Sequence, residues 1–281
     1  MADMILLASG YQAVEGPTVE RDGSLYFSDT YGGGVYRLTP GGEVEVVVAK
    51  RKGAGGIVVH ADGGIVISGR DLSHVRDGTT RVILTREDLP PQEGTRVGGF
   101  NDITADRVGR LFAGSTRFAD DGTSVPGELL MVTAPHQVTV VYGDVGMTNG
   151  IAQSPDGSRL YHADTTRQRI IVSELTDDSV PVQVGELTTS IPGRPDGVAV
   201  DVDGGLWVAW GGYVIRFDSG GAVDRTVEMP AEHVLNCCFA GDQLTDLVVV
   251  TMDNTDQPEL GGCIWRMPIG VRGAPIGAAR V

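Results

Sequence analysis

The sequence predicts an all-β fold, a six-bladed β-propeller with four-stranded blades, and three observations carry the prediction. The 281 residues include 41 glycines but few aromatics and no long apolar run, a composition that suits many short strands joined by tight turns. A turn followed by a short apolar strand recurs six times. The residues that anchor those strands, Leu25, Ile65, Leu111, Leu160, Leu206 and Leu247, are separated by 40, 46, 49, 46 and 41 residues, the period of a propeller blade.

Each repeat continues in the same way. A third strand follows the anchor strand, as in residues 34–38, 127–132, 169–172 and 213–217. A turn such as Thr39-Pro40-Gly41-Gly42 or Asp218-Ser219-Gly220-Gly221 leads to a fourth strand, as in residues 44–48 and 138–142. Asp-Gly and Gly-Gly supply the positive φ that tight hairpins need. Residues 71–99, with their Pro90-Pro91 and Gly98-Gly99 pairs, read as a loop, and residues 118–126 read as a second loop able to act as a lid. The last unit lacks a firm fourth strand after Cys263–Met267. The apolar residues Met4–Ala8 have no other home, so they are expected to pair into that blade and cover its edge. Residues 1–281 thus read as a single domain.

Charge narrows the function. Asp and Glu number 37 against 22 Lys and Arg, a net charge of −15. Such a surface repels nucleic acid and anionic membrane, so neither is expected as a partner. Met1–Met4 lacks a basic signal region, and no apolar run reaches the ~18 residues that span a bilayer. Cys237, Cys238 and Cys263 form neither a disulfide framework nor a zinc pattern and read as small buried residues. A cytoplasmic monomer or weak homo-oligomer is expected.

Ten residues before each anchor, or eleven in the fourth repeat, stand Glu15, Gly55, Asn101, Asn149, Asp196 and Cys237. Each heads the first strand of its blade, and first strands line the channel of a propeller. Equivalent positions therefore form a ring around the axis. Two carboxylates and two amides in that ring suit one hard divalent cation. Calcium is the first expectation, and magnesium, manganese and zinc are the alternatives. The glycines that follow leave room for close backbone approach.

At this point the chain resembles the gluconolactonase, regucalcin (senescence marker protein) and luciferin-regenerating enzyme family. The resemblance rests on Val14–Thr18, Phe100-Asn101-Asp102, Thr148–Ile151 with Ser154–Gly157, Pro195-Asp196-Gly197 with Leu206–Ala209, and Cys237-Cys238-Phe239. It implies a six-bladed propeller with one axial divalent metal, held by Glu15, Asn149 and Asp196, with Asn101 as a further ligand or a substrate-orienting amide. It also implies hydrolysis of a lactone. Sugar-lactone members carry arginine two residues before the Asn of Phe-Asn-Asp, and Gly99 stands there in this chain.

The expected chemistry is metal-dependent opening of a small-molecule lactone or related ester, with Asp196 as general base and Asn101 orienting the substrate. Phosphotriester hydrolysis on the same site, and a non-catalytic calcium-stabilised ligand-binding propeller, are the alternatives. His74 is an alternative base placed over the channel, and Arg117 is a substitute for the missing arginine. Tyr31, Phe118 and Tyr213 are expected to line the mouth. His60, His136, His162 and His233 read as surface or loop residues, and Trp207 and Trp210 as filling between blades.

Overall fold

The computed structural model describes residues 4–176 and 179–281. The repeats form six antiparallel sheets of four strands, one of which carries an added short strand. Their inner strands are Val14–Val19, Ile57–Val59, Thr95–Ala105, Thr148–Gln153, Pro195–Val200 and Val234–Ala240, in blades one to six. Each inner strand contacts the next, and blade six returns to blade one, so the ring closes into a six-bladed β-propeller. Ile5–Tyr11 pairs antiparallel with Gly262–Pro268 as the outer strand of blade six, as expected.

Apolar side chains fill the gaps between blades. Trp207 packs with Cys237, Phe239 and Leu247 between blades five and six, and Trp210 packs with Tyr161, Ala163 and Ile170 between blades four and five. The Trp207 indole Nε1 donates to Asp201 Oδ2 at 2.8 Å, which satisfies its one polar atom. Cys237, Cys238 and Cys263 are buried and free.

The loop expected over residues 71–99 is instead mostly strand. Leu72–Arg76 and Thr79–Leu84 are the third and fourth strands of blade two, joined at Asp77-Gly78. Both turn residues have positive φ, 48° and 74°, which makes this a tight hairpin. The prolines and glycines that suggested a loop are concentrated after it. Residues 118–126 form a hairpin: Ser124–Val125 pairs with Arg117 and Phe118, prolonging blade three beyond its neighbours.

Residues 269–281 cross the channel end opposite the expected metal, a strap that the repeat pattern did not reveal. Gly273 bridges to Asp201 in blade five, and Ala279 bridges to His60 in blade two. No helix among the described residues is long and apolar enough to cross a membrane.

Two histidines expected at the surface are core residues. His60 is stacked on His74 with ring centroids 3.9 Å apart, and its Nε2 lies 3.1 Å from Val281 O. His162 is fully buried, with Tyr142 Oη 3.0 Å from Nδ1 and Thr148 Oγ1 2.5 Å from Nε2. Burial pushes the His162 imidazole down from an ordinary 6.5 to about 4. The unfolded chain therefore takes up a proton that the fold refuses. His162 favours the fold fully above pH ~6.5, and this contribution of about 3 kcal/mol is lost as pH falls toward ~4. Denaturant melts between pH 7 and 4 should show that slope, and His162→Gln should flatten it. An unchanged slope would contradict the assignment.

Candidate metal centre and active site

A shared ladder irregularity aims the ring residues at the axis. In blade five the pairing passes from Pro195–Trp210 to Val198–Val208, which leaves Asp196 and Gly197 unpaired in a bulge. The same slip leaves Asn101 and Asp102 unpaired in blade three and Asn149 and Gly150 in blade four; in blade one it falls one residue later, after Glu15, which pairs with Ser28. A bulge frees a side chain from the sheet faces and re-aims it. Here it turns Asn101, Asn149 and Asp196 inward, and Glu15, at the edge of its own bulge, reaches the same space through Asn236. In blade two, Gly55 holds this position, and Ser68 Oγ accepts from its N–H and from that of Gly56 at 3.1 and 2.8 Å.

Blade six corrects the expected ring. Its first hairpin has one extra pair, Ala240–Asp246, beyond Phe239–Leu247. Counting back ten residues from Leu247 therefore lands on Cys237, which pairs with Val249 as Val198 pairs with Val208. Cys237 packs against Trp207, away from the axis, and burial pushes its thiol up to about 12. The sixth ring member is the half-buried Leu235.

One residue deeper lies a second layer. Its members are Gly16, Gly56, Asp102, Gly150, Gly197 and Asn236. The four glycines clear the space that the two polar side chains fill. A Cβ on Gly197 would lie 1.9 Å from Asn236 Cγ. Asn236 Nδ2 reaches both Glu15 Oε2, at 3.2 Å, and Asp102 Oδ2, at 3.3 Å. Asp102 and Asn236 were not among the expected site residues. The signal was present: every other strand head has glycine after the ring residue.

Three carboxylates thus converge on a deep channel. Burial, then Asp196 and Asp102, push Glu15 well above the usual carboxylate range. Burial and Asp102 do the same to Asp196, and burial raises Asp102 to about 7. Asp196 Oδ1 is buried without a hydrogen-bond partner among the described residues. An orphaned carboxylate oxygen beside two further acids is a donor set that a divalent cation satisfies. The donors are all oxygen, since Cys237 faces away and no histidine joins them, which favours a hard ion over zinc.

The two ring amides are oriented by their own hydrogen bonds. Thr165 Oγ1 donates to Pro195 O at 2.7 Å, so it must accept from Asn149 Nδ2, at 2.8 Å. That leaves Asn149 Oδ1 as the inward atom, and Asn101 Nδ2 donates to it and to Thr148 O. Thr165 therefore ties one amide of the ring to the backbone beside Asp196. Thr165→Val should weaken calcium binding by about 10-fold or more while Thr165→Ser preserves it, read by calorimetric titration. Equal affinity in both variants would remove Thr165 from the site.

The expected substrate contacts are placed less favourably. His74 lies toward the far end of its strand, its Nε2 2.8 Å from Gly63 O in the turn opposite the metal end, so it does not overhang the channel. Arg117 is 1% exposed; its Nε lies 2.5 Å from Glu128 Oε1 and an Nη 3.1 Å from Pro90 O, a structural ion pair closed to substrate. Tyr31 is 59% exposed, on the turn between the second and third strands of blade one, at the metal end. Phe118 lies on the blade-three extension at that end, under the Arg96 guanidinium, whose Cζ is 5.3 Å from the ring centroid. Tyr213 is half-buried against the cluster between blades four and five. On the rim, Glu232, His233 and Asp253 also approach one another. The Asp253 oxygens there accept from the backbone N–H groups of Glu232 and His233, a local cap on exposed loops.

Comparison with known proteins agrees with this architecture. Residues 13–253 match the SMP-30/Gluconolactonase/LRE-like region, and the chain belongs to that family. It is 29% identical over 266 residues to a 6-deoxy-6-sulfogluconolactonase of Pseudomonas putida, covering 90% of this chain and 89% of the relative. It is 30% identical over 275 residues to the regucalcin of Danio rerio, covering 91% and 90%. Among solved structures, a luciferin-regenerating enzyme superposes with a TM-score of 0.85 over the full length of both chains, at 23% identity.

Proposed function

We propose that this member of the SMP-30/gluconolactonase/LRE-like family is a divalent-metal-dependent lactonase acting on sugar-type lactones. The observation that carries the reading is the orphaned Asp196 oxygen beside Glu15 and Asp102, with two oriented amides across the channel. Glu15, Asn149 and Asp196 would hold the ion, with Asn101 as a fourth ligand or as the amide that orients substrate. Calcium fits the hard donor set best. When bound, the ion supplies the Lewis acidity that polarises a lactone carbonyl. With the ion bound, Asp196 would stay ionised despite burial.

The protein's own groups do the rest. Asp196, whose Oδ1 has no donor among the described residues, would give one carboxylate oxygen to the ion and take the proton from the attacking water on the other. Asn101 is anchored through its Nδ2 and presents its carbonyl oxygen to the channel. Asn236 pins Glu15 and Asp102 from below, so the carboxylates are placed before substrate arrives. The similarity to a sulfogluconolactonase supports a sugar-acid lactone. A pH-indicator screen of sugar, aliphatic and aromatic lactones with calcium, magnesium, manganese or zinc should show metal-dependent hydrolysis that chelator abolishes. Calcium binding without turnover of any lactone would point to a non-catalytic ligand-binding propeller. Turnover confined to phosphotriesters would reassign the substrate.

A further inference from the structure

The sector of the mouth above Gly55 and Asn101 is built from three backbone segments in contact. The connection from blade one to blade two carries the chain's two lysines, Lys50 and Lys52. Beside it runs the turn Gly69-Arg70-Asp71, and beside that the strand containing Gly99. Gly69 and Phe100 exchange both backbone hydrogen bonds, at 2.7 and 3.1 Å. A Cβ on Gly99 would lie 2.5 Å from Gly69 O and 3.5 Å from Arg70 Cα. Position 99 therefore has no room for a side chain, and Arg70 starts where one would have emerged, two residues from Asn101. A Cβ on Gly69 would in turn lie 3.6 Å from Lys52 O, so Lys52 and Arg70 stand on adjoining strips of one edge.

The cations of this edge divide into two kinds. Arg51 is a strut: it bonds Ser68 O at 3.1 Å and Asp71 Oδ1 at 2.9 Å, while Ser73 also donates to Asp71. The Arg70 charge acts on the Asp71 carboxylate, but exposed Arg70 and Lys52 make no hydrogen bond or ion pair among the described residues. On a chain of net charge −15, two unpaired cations over the open side of the site are set against the general charge. Two blades away round the ring, the rim of blade six carries Glu232, Asp253, Asp256 and Glu259. An anionic group on a ligand is drawn toward Arg70 and Lys52 and away from the acidic rim of blade six.

We propose that Arg70 and Lys52 form an oxoanion subsite, and that the preferred lactone carries a carboxylate, sulfonate or phosphate group remote from its carbonyl. This rests on the lactonase reading for the site but makes its own prediction about charge. Guanidinium and ammonium donors give charge-assisted hydrogen bonds to such a group, while the lactone end meets the ring residues.

The test is calorimetric binding of D-gluconate and D-gluconate 6-phosphate to the calcium-loaded protein. The phosphate-bearing ligand should bind at least about 10-fold more tightly. Arg70→Gln and Lys52→Gln should each narrow that gap and leave gluconate affinity unchanged, and Glu259→Gln on the rim of blade six should not narrow it. Equal affinities in the unaltered protein, a gap that survives the double variant, or failure of both ligands to bind would overturn the subsite. A preserved, Arg70-dependent preference in a protein that hydrolyses no lactone would support the subsite and sink the lactonase reading instead.

Discussion

Asp196→Asn is expected to lower kcat for lactone hydrolysis by about 10³-fold or more at saturating calcium, with calcium still bound. The substitution keeps the shape and one carbonyl oxygen, so the ion retains a ligand there. It removes an Asp196 oxygen that is buried without a donor among the described residues, and with it the expected proton acceptor. General-base contributions of ~10²–10⁴ set the scale, and one lost unit of ligand charge weakens the ion's hold as well. Activity and calcium affinity must therefore be measured together. A variant with full turnover at saturating calcium would show that another group takes the proton, and Asp102, at about 7, is the next carboxylate in line.

Gly150→Ala should be among the most damaging small substitutions in the protein. A Cβ there would lie 2.6 Å from both Asp196 O and Val198 N, so the inner strand of blade five must move as a unit. Backbone cannot swing aside as a side chain can. The expected loss is about 3 kcal/mol, or roughly 6–10 °C in Tm, together with weaker calcium binding because Asp196 travels with the strand. Gly185, in the outer strand of blade four, has nothing within 4 Å of its Cβ position, and Gly185→Ala serves as the control. Equal melting temperatures for the two variants would mean that the inner strands are not packed as tightly as the two-layer axis requires.

The periodic features of this protein were legible in its sequence, and the non-periodic ones were hidden. Six turn–strand repeats and an apolar Met4–Ala8 without a partner sufficed for the ring and its closing strand. The four oxygen-bearing ring residues followed from counting, because blades one, three and five share one hairpin length and the extra residue of blade four shows in its sequence. Counting failed where that geometry changed, since one extra pair in blade six put Cys237 in the place of Leu235. Asp102 and Asn236 were overlooked for a related reason. The bulge sends two consecutive residues toward the axis, and strict alternation allows for only one. His74 and Arg117 show a third limit. Their types suggested chemistry, but only the partners Gly63 and Glu128 reveal which end of the strand and which neighbour they serve.

The central claim is that the bulged strand heads hold one hard cation on the axis. Calorimetric titration of chelator-stripped protein with calcium tests it most directly. The account predicts one tight site per chain, lost in Glu15→Gln and in Asn149→Leu and kept in Glu232→Gln on the rim. A site that survives loss of Glu15 and Asn149, or the absence of any calcium binding, would contradict it.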